Sequence, residues 1–402
     1  MTNLPQGWKM ETLGEILSSD KYSIKRGPFG SALKKSFFVE KGIRIFEQYN
    51  PINNDPHWKR YFISHEKFQE LEAFKATEGD LLISCSGTLG KIVELPKNTE
   101  IGIINQALLK IRLNNIKILN SYFIYYFNSP IMQEKILEST LGSAIKNIAS
   151  VKILKQIEIP LPPLKEQERI VGILDESFAN IDESIKILEQ DLLNLDELMQ
   201  SALQKAFNPL KDNAKENYKL PQSWEWKSLE EISENISAGG DKPKNCTESK
   251  TAKNQIPVYA NGVNNNGLVG YTDKATIIKP SLTISARGTI GFVCIRKEPY
   301  YPIVRLISAI PNEKILHLEY LYFCLIFFIA KGSGSSIPQL TIPVFKNLQI
   351  PIPPLQEQEQ IASYLDELSL NIKDLKQNYQ TQIKNLQELK KSLLDRAFKG
   401  RL

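Results

Sequence analysis

The sequence predicts a mixed α/β (α+β) protein with two tandem globular regions. These regions are related by internal duplication and are separated by long helices that pair as an antiparallel coiled coil. Three observations predict this fold: segments recur in the same order, each copy passes from β-rich runs to a long helix, and the helices show heptad spacing. A length of 402 residues and an apolar fraction of 42% allow more than one core, which excludes a wholly disordered chain.

Three pairs of segments carry the duplication. They are LPQGWKMETL from Leu4 and LPQSWEWKSL from Leu220, ISCSGTLGKIV from Ile83 and ISARGTIGFVC from Ile284, and IPLPPLKEQERI from Ile159 and IPIPPLQEQEQI from Ile350. The offset falls from 216 through 201 to 191 residues while the order is kept. The second copy is therefore the same unit in a shorter form.

Each copy divides into a globular and a helical part. Short β-rich runs between Gly, Asn and Pro turns predict globular regions at 1–158 and 209–349. Helical regions are predicted at 159–208 and 350–402, where a Pro-Pro pair precedes acidic residues that suit the positive end of a helix dipole.

Apolar residues at heptad spacing run through both helices. In the first they are Val171, Leu174, Phe178, Ile181, Ile185, Leu188, Leu192, Leu195, Met199, Ala202 and Ala206. In the second the expected seam is Ile361, Leu365, Leu368, Ile372, Leu375, Tyr379, Gln382, Leu386, Leu389 and Leu393. Because the first helix ends where the second globular region begins, antiparallel pairing within the chain is the simplest arrangement. A plain amphipathic helix on one globular region is the alternative.

The cysteines and the apolar stretches indicate where in the cell the protein is expected. The four cysteines are far apart and form no C-x-x-C pair, which favours reduced thiols in a cytoplasmic protein. The N-terminus lacks the pattern of a signal peptide, and the most apolar stretch, 321–330, is about half the length needed to span a membrane. We therefore expect no membrane association.

The repeated segments resemble the specificity subunits of type I restriction–modification systems. The resemblance rests on segments 159–176 and 350–367, the G-T-[LI]-G motif before each, Trp8 and Trp224, and the stretch 23–38. It covers essentially the whole chain. It implies two target-recognition domains, each reading half of a bipartite site in double-stranded DNA, and helical regions that set the spacer and dock modification subunits.

The same resemblance implies which partners act on the DNA. These are two modification (methyltransferase) subunits and, in a complete system, restriction (motor and nuclease) subunits. S-adenosylmethionine, ATP and Mg²⁺ would belong to those partners, so this chain is expected to bind no cofactor, to hold no metal and to be no enzyme itself.

Charge is distributed unevenly along the repeat. Residues 1–158 hold 21 Lys and Arg against 16 Asp and Glu, and residues 209–349 hold 17 against 12. Residues 159–208 hold 4 against 10, and residues 350–402 hold 8 against 7. Basic globular regions fit contact with phosphate, and a helical region without basic excess fits contact with protein.

Candidate DNA-binding residues lie in the polar loops of both globular regions. In the first they are Lys25, Arg26, Lys34, Lys35, Arg44, Gln48, Asn50, Ser143 and Lys146. In the second they are Lys242, Lys244, Asn261, Asn264, Asn265, Arg287, Arg305, Ser335, Ser336 and Gln339. Lys and Arg neutralise phosphates, while amide and guanidinium groups read base edges. The alternatives are solvated surface loops and, for the asparagines, turn formation.

The helix starts carry a repeated set of polar residues. These are Glu166, Gln167, Glu168, Glu357, Gln358 and Glu359. They fit helix capping, and the resemblance implies that the same segments dock the modification subunits.

Catalytic motifs are missing from the sequence. Both Pro-Pro pairs continue into Leu rather than an aromatic residue, and no G-x-x-x-x-G-K-[ST] motif occurs. Two hypotheses compete with a DNA-recognition subunit: a coiled-coil scaffold that binds no DNA, and a metal-dependent nuclease using Asp241, Glu248 and Lys250.

Overall fold

The computed structural model describes residues 4–138, 148–207, 223–332 and 340–402. The chain forms two compact units. The first comprises Met1–Ile187 and Thr381–Leu402, and the second comprises Leu188–Gln380. Each unit therefore contains one globular region and parts of the two long helices.

The first globular region is built from short strands and helices. Its strands are β1 (Lys9–Thr12), β2 (Ile24–Arg26), β3 (Phe38–Val39), β4 (Ile43–Phe46), β5 (Phe62–Ile63), β6 (Lys75–Ala76), β7 (Leu81–Ser84), β8 (Ile92–Glu94), β9 (Gly102–Ile104), β10 (Leu108–Ile111) and β11 (Glu158–Leu161). Its helices are α1 (Leu13–Ile16), α2 (Tyr49–Ile52), α3 (His65–Glu70), α4 (Asn120–Phe127), α5 (Pro130–Glu138) and α6 (Val151–Leu154), and the long helix α7 (Leu164–Phe207) follows.

Two sheets form the centre of this region. The antiparallel sheet has the order β2-β10-β7-β8, and the mixed sheet has the order β3-β5-β4-β9-β6. Leu82 and Leu108 of the first sheet pack against Phe46 and Ile104 of the second. Because side chains alternate between the faces of a strand, the neighbours of Leu82 lie on the opposite face, where the helices cover them.

The second globular region repeats much of this plan. Its strands are β12 (Glu225–Ser228), β13 (Ser233–Ala238), β14 (Ile256–Tyr259), β15 (Leu268–Thr272), β16 (Ser281–Ile284), β17 (Val293–Arg296), β18 (Tyr301–Pro302), β19 (Ile307–Pro311) and β20 (Gln349–Ile352). Its helices are α8 (Leu229–Ile232), α9 (Leu318–Gly332) and α10 (Ile342–Lys346), and the long helix α11 (Leu355–Phe398) follows. The sheet β13-β19-β16-β17 matches β2-β10-β7-β8, and a smaller sheet has the order β15-β14-β18.

The repeated sequence segments form equivalent contacts. β1 pairs with β11, and β12 pairs with β20, so the segment around each Leu-Pro-Gln joins the segment before each Pro-Pro pair. The predicted boundaries at 158/159 and 349/350 fall inside β11 and β20. The hydroxyl of Tyr122 donates to the Pro160 carbonyl at 2.8 Å, and that of Tyr320 donates to the Pro351 carbonyl at 2.7 Å. These bonds hold a helix of each globular region against its last strand.

The long helices pair in an antiparallel manner within each unit. In the first unit Lys390 forms an ion pair with Asp182, and in the second Lys376 forms one with Asp196. The end of α11 enters the core of the first globular region, where the Phe398 ring lies 5.4 Å from that of Tyr122. The antiparallel pairing predicted from sequence is therefore confirmed.

The seam of α7 agrees with the heptad prediction, but that of α11 differs at three positions. Every predicted seam residue of α7 is buried or half-buried. On α11, Leu375, Gln382 and Leu389 are exposed, and the residues one position later, Lys376, Ile383 and Lys390, are half-buried instead. The sequence prediction was wrong at these three positions. At two of them a lysine buries its stem in the seam and pairs with an aspartate of α7, and at the third Ile383 takes the place of Gln382.

Candidate nucleic-acid interface

Four loops of the first globular region meet at one edge, which we call the first loop cluster (residues 26–30, 47–50, 86–90 and 105–107). Backbone hydrogen bonds join them. Asn105 N–H donates to the Phe46 carbonyl at 3.0 Å, and Cys85 N–H donates to the Ala107 carbonyl at 2.8 Å. The Ser86 hydroxyl also donates to Oε1 of Gln48 at 3.3 Å. The G-T-x-G loop is thereby placed beside Gln48.

Gly27 fixes one of these loops. Its N–H donates to the Leu108 carbonyl at 2.9 Å. A Cβ atom at Gly27 would lie 1.8 Å from the Asn105 carbonyl oxygen, so any other residue would force the loops apart. The glycine thus serves close packing within the chain.

The second globular region has the equivalent arrangement, the second loop cluster (residues 239–242, 261–266, 286–290 and 303–305). Ile303 N–H donates to the Tyr259 carbonyl at 2.8 Å, and Gly239 N–H donates to the Leu306 carbonyl at 2.8 Å. These two bonds correspond to the Asn105–Phe46 and Gly27–Leu108 bonds of the first globular region. In the second loop cluster, Asn261 occupies the position that Gln48 has in the first.

Asn261 connects two loops of the second loop cluster. Its Oδ1 accepts from Ala286 N–H at 2.8 Å, and its Nδ2 donates to the Val304 carbonyl at 2.7 Å. Both side-chain groups therefore have partners within the chain. Asn261 thus holds the backbone immediately before Arg287 and Arg305, which are both exposed.

A strained turn presents Arg305. Leu306 N–H donates to the Ile303 carbonyl at 3.0 Å, and the two residues between them, Val304 and Arg305, have φ values of 53° and 62°. Two successive positive φ values are the pattern of a type I′ turn, which normally takes Asn and Gly. A β-branched residue in this conformation is an outlier. Arg305 therefore lies in an unfavourable turn conformation that the surrounding fold must maintain.

Most other predicted DNA-binding residues lie at the surface of the globular regions. Lys25, Arg26 and Gln48 are half-buried. The exposed ones are Lys34, Lys35, Lys242, Lys244, Asn264, Asn265, Arg287 and Arg305. Ser143, Lys146, Ser335, Ser336 and Gln339 lie outside the described residues.

The structure contradicts the sequence prediction that Arg44 and Asn50 bind DNA. The Arg44 guanidinium is buried and donates to the carbonyls of Pro56 at 3.0 Å and Trp58 at 2.8 Å, and burial lowers the pKa of this group. Asn50 is fully buried, and its amide donates to the carbonyls of Asp55 and Trp58, both at 2.9 Å. Neither side chain can reach a nucleic acid, because both support the loop that carries Gln48.

The asparagines of 264–266 form a turn. Asn265 and Asn266 have φ values of 48° and 51°, a conformation that Asn tolerates better than most residues. The Asn266 carbonyl accepts from Arg296 Nη2 at 2.6 Å. Of the two interpretations of these asparagines, DNA contact and turn formation, turn formation explains the backbone conformation.

The structure also contradicts the prediction that the two glutamines at the helix starts dock partner subunits. Gln167 and Gln358 are fully buried. Gln167 Nε2 donates to the carbonyls of Lys117 and Pro162, and Gln358 Nε2 donates to those of Ile315 and Pro353. Buried amides with partners inside the chain cannot dock another subunit. They anchor each long helix to its globular region.

The four glutamates beside them differ in exposure. Glu168 and Glu359 are exposed, whereas Glu166 and Glu357 are half-buried. Hydrogen bonds from Arg169 hold the pKa of the Glu166 carboxyl below its usual value. Docking by these glutamates stays a prediction.

Two structural features escaped the sequence analysis. Phe29 projects from the first loop cluster, and the G-P-F-G motif around it could have signalled a tight loop. Phe207 and Phe398 each end a long helix and pack into a globular core. The repeated pattern S-x-L-x-x-A-F at 201–207 and 392–398 would have revealed them.

In the described parts of the chain, no group of three or more His, Cys, Asp and Glu side chains could hold a metal ion. No helix in these parts is long and apolar enough to cross a bilayer.

Two similar globular regions with equivalent loop clusters define a duplicated binding protein. The profile of the type I restriction modification DNA specificity domain matches residues 5–192 and 221–385. The protein therefore belongs to the type I restriction–modification DNA specificity family.

Named relatives support this assignment. A Mycoplasma pneumoniae chain named as a type I specificity subunit, S.MpnORF507P, is 33% identical over 223 residues, which are 54% of this chain and 56% of that one. The alignment thus spans little more than half of that relative. The MjaVIII specificity subunit of Methanocaldococcus jannaschii is 25% identical over 358 residues, covering 81% of this chain and 79% of that one.

Solved structures show the same fold. A chain from a structural study of assembly and conformational transition in the type I R-M system matches with a TM-score of 0.80 and 20% identity, covering all of both chains. The HsdS subunit of Thermoanaerobacter tengcongensis matches with a TM-score of 0.66 and 20% identity, covering 99% of this chain and 98% of that one.

Proposed function

We propose that this chain is the DNA-recognition subunit of a type I restriction–modification complex. Each loop cluster reads one half of a bipartite site in double-stranded DNA. The observation that carries the proposal is the duplicated loop cluster: the same backbone hydrogen bonds join the same loops in both globular regions, while the exposed side chains differ.

The chemistry of these side chains suits duplex DNA. Exposed lysines such as Lys34, Lys35 and Lys242 can neutralise phosphates, a contribution that does not depend on sequence. Arginine and glutamine side chains can form paired hydrogen bonds with base edges in the major groove, and such a pair discriminates by about 1–3 kcal/mol. Both types of contact are available at each loop cluster or next to it in the chain.

The two half-sites should differ in sequence. Where the first loop cluster has Gln48 and Ser86, the second has Asn261 and Arg287. Arg305 has no cationic counterpart, because Ala107 occupies the equivalent turn of the first globular region. A protein with these differences should recognise an asymmetric site.

We propose that partner subunits supply the catalysis. In this proposal two methyltransferase subunits bind the chain, restriction subunits join a complete complex, and the partners hold S-adenosylmethionine, ATP and Mg²⁺. Exposed apolar side chains on the long helices, such as Leu193, Leu198 and Leu370, offer docking contacts together with Glu168 and Glu359. The continuous helices would set the spacer between the half-sites, and the complex would work in the cytoplasm.

Methylome sequencing tests this function. Cells that express the chain with its methyltransferase partner should carry adenine methylation at one asymmetric bipartite motif, and cells without the chain should not. Methylation that lacks a defined motif would contradict the proposal. Steep loss of duplex binding as salt rises would exclude a scaffold that does not bind DNA.

A further inference from the structure

Phe29 is an exposed aromatic residue at the first loop cluster. Its side chain is 67% exposed, although burial of a phenyl ring is favourable. The backbone around it is fixed, since Gly27 packs against Asn105 and Pro28 is buried. The ring is thus held outward by a rigid loop.

One cation lies beside this ring, and two more follow in the sequence. The Arg26 guanidinium carbon lies 5.6 Å from the ring centroid. Lys34 and Lys35 follow on the same segment and are exposed, and the segment from Tyr22 to Phe38 contains no acidic residue. An exposed aromatic ring on a basic segment suits a polyanion that offers flat apolar faces, which describes the stacked bases of DNA.

We propose that Phe29 is a wedge that enters a base-pair step of the first half-site and partly unstacks it. This inference rests on the proposed function. Apolar wedges of this kind unstack a base step, which is unfavourable in itself, and gain contact with the distorted duplex. The rigid loop lowers the entropic cost of insertion, because the ring is already positioned before DNA binds.

The wedge is confined to one half-site. At the equivalent place in the second loop cluster, Gly239 and Gly240 are followed by Asp241, which carries no ring. The structure therefore assigns unstacking to the half-site bound by the first globular region. Such distortion lets a protein discriminate between base steps that it does not contact by hydrogen bonds.

Fluorescence of 2-aminopurine measures unstacking directly. The full chain, assembled with its methyltransferase subunits, is bound to duplexes carrying the motif found by methylome sequencing. The analogue replaces single adenines in or beside each half-site, but never the adenine that is methylated, because methyltransferases flip their target base out of the duplex. We expect a several-fold rise in fluorescence at one step of the first half-site and none in the second.

Variants assign the signal to Phe29. Phe29→Ala should abolish the rise and weaken binding about tenfold, whereas Phe29→Leu should retain part of both, because leucine can also act as a wedge. Phe37→Ala is the matched control, since Phe37 is 36% exposed and lies under the Lys67 ammonium outside the loop cluster. This variant should behave as the wild type. The midpoints of thermal unfolding should agree for all four proteins.

The outcomes separate the wedge from the proposed function. Selective binding without a fluorescence rise in the first half-site, or a rise that persists in Phe29→Ala, would overturn the wedge and leave the recognition function standing. If the wild-type complex binds no bipartite site selectively, the proposed function itself fails and the wedge fails with it.

Discussion

Oε1 of Gln167 accepts a hydrogen bond from the backbone N–H of Leu119 at 2.9 Å. The same relationship recurs between Gln358 and His317 at 2.8 Å. In each globular region, a buried glutamine at the start of a long helix thus holds the loop that precedes α4 or α9. The helix and the globular region consequently move as one body at that point.

Replacement of Gln167 by Leu should destabilise the first unit. The change leaves three backbone groups unpaired in a buried place, at a cost of about 1–3 kcal/mol for each buried unsatisfied group. Amide hydrogen exchange in the peptide containing Leu119 should rise at least tenfold. Glu168→Leu, at the exposed neighbouring position, is the control and should leave exchange unchanged. Equal exchange in both variants would contradict the anchoring role.

Cross-linking tests the antiparallel pairing in the first unit. In a background with Cys246 and Cys294 changed to Ser, a short bis-maleimide linker should join Asp182→Cys to Lys390→Cys, because the native side chains meet in an ion pair across the seam. Replacing Lys384 instead of Lys390 moves the second cysteine about 9 Å along the helix and off the seam. Mass spectrometry that finds the control pair linked as readily would exclude this register.

Thiol alkylation tests the burial of two cysteines. Burial raises the pKa of Cys85 to about 12 and raises that of the fully buried Cys324 well above its ordinary value. Thiols with raised pKa are protonated at pH 8, and only the thiolate reacts quickly with iodoacetamide. Peptide mapping should therefore show slow modification of both, and faster modification of the half-buried Cys246. Modification of Cys85 at the rate of Cys246 in native protein would contradict its burial.

Relief of strain at Val304 should stabilise the second unit. Val304→Asn places a residue that tolerates positive φ at this turn, with an expected gain of about 1 kcal/mol in the free energy of unfolding. Val263→Asn is the matched control, because Val263 is an exposed valine of the same cluster with φ −89°. Urea titration should show a gain for the first variant only. Equal effects would mean that the turn stores no strain.

The duplication and the long helices could be predicted because they depend on local patterns. The burial of particular polar residues could not be predicted in this way. Arg44, Asn50 and Gln167 bond to carbonyl groups of other loops, so their burial depends on tertiary contacts that a single sequence does not display. The convergence of loops in each cluster likewise depends on strand order, since β7 and β10 pair although 23 residues separate the end of one from the start of the other.

The seam of α11 shows a second limit. Heptad analysis counts apolar residues, so it placed Leu375 and Leu389 at the interface. Lys376 and Lys390 are half-buried there instead, because a lysine stem is apolar and its ammonium can reach an aspartate of the partner helix. In addition, the Lys390 ammonium lies 4.9 Å from the centroid of the Phe178 ring.

The methylation motif of paired variants tests the central claim most directly. Arg305→Ala should relax base preference by about fivefold to a hundredfold in one half-site, and Gln48→Ala should relax preference only in the other half. Lys274→Ala, at an exposed site outside the second loop cluster, should leave the motif unchanged. Loss of preference in both halves from either variant, or in neither half from both, would contradict the assignment of one half-site to each loop cluster.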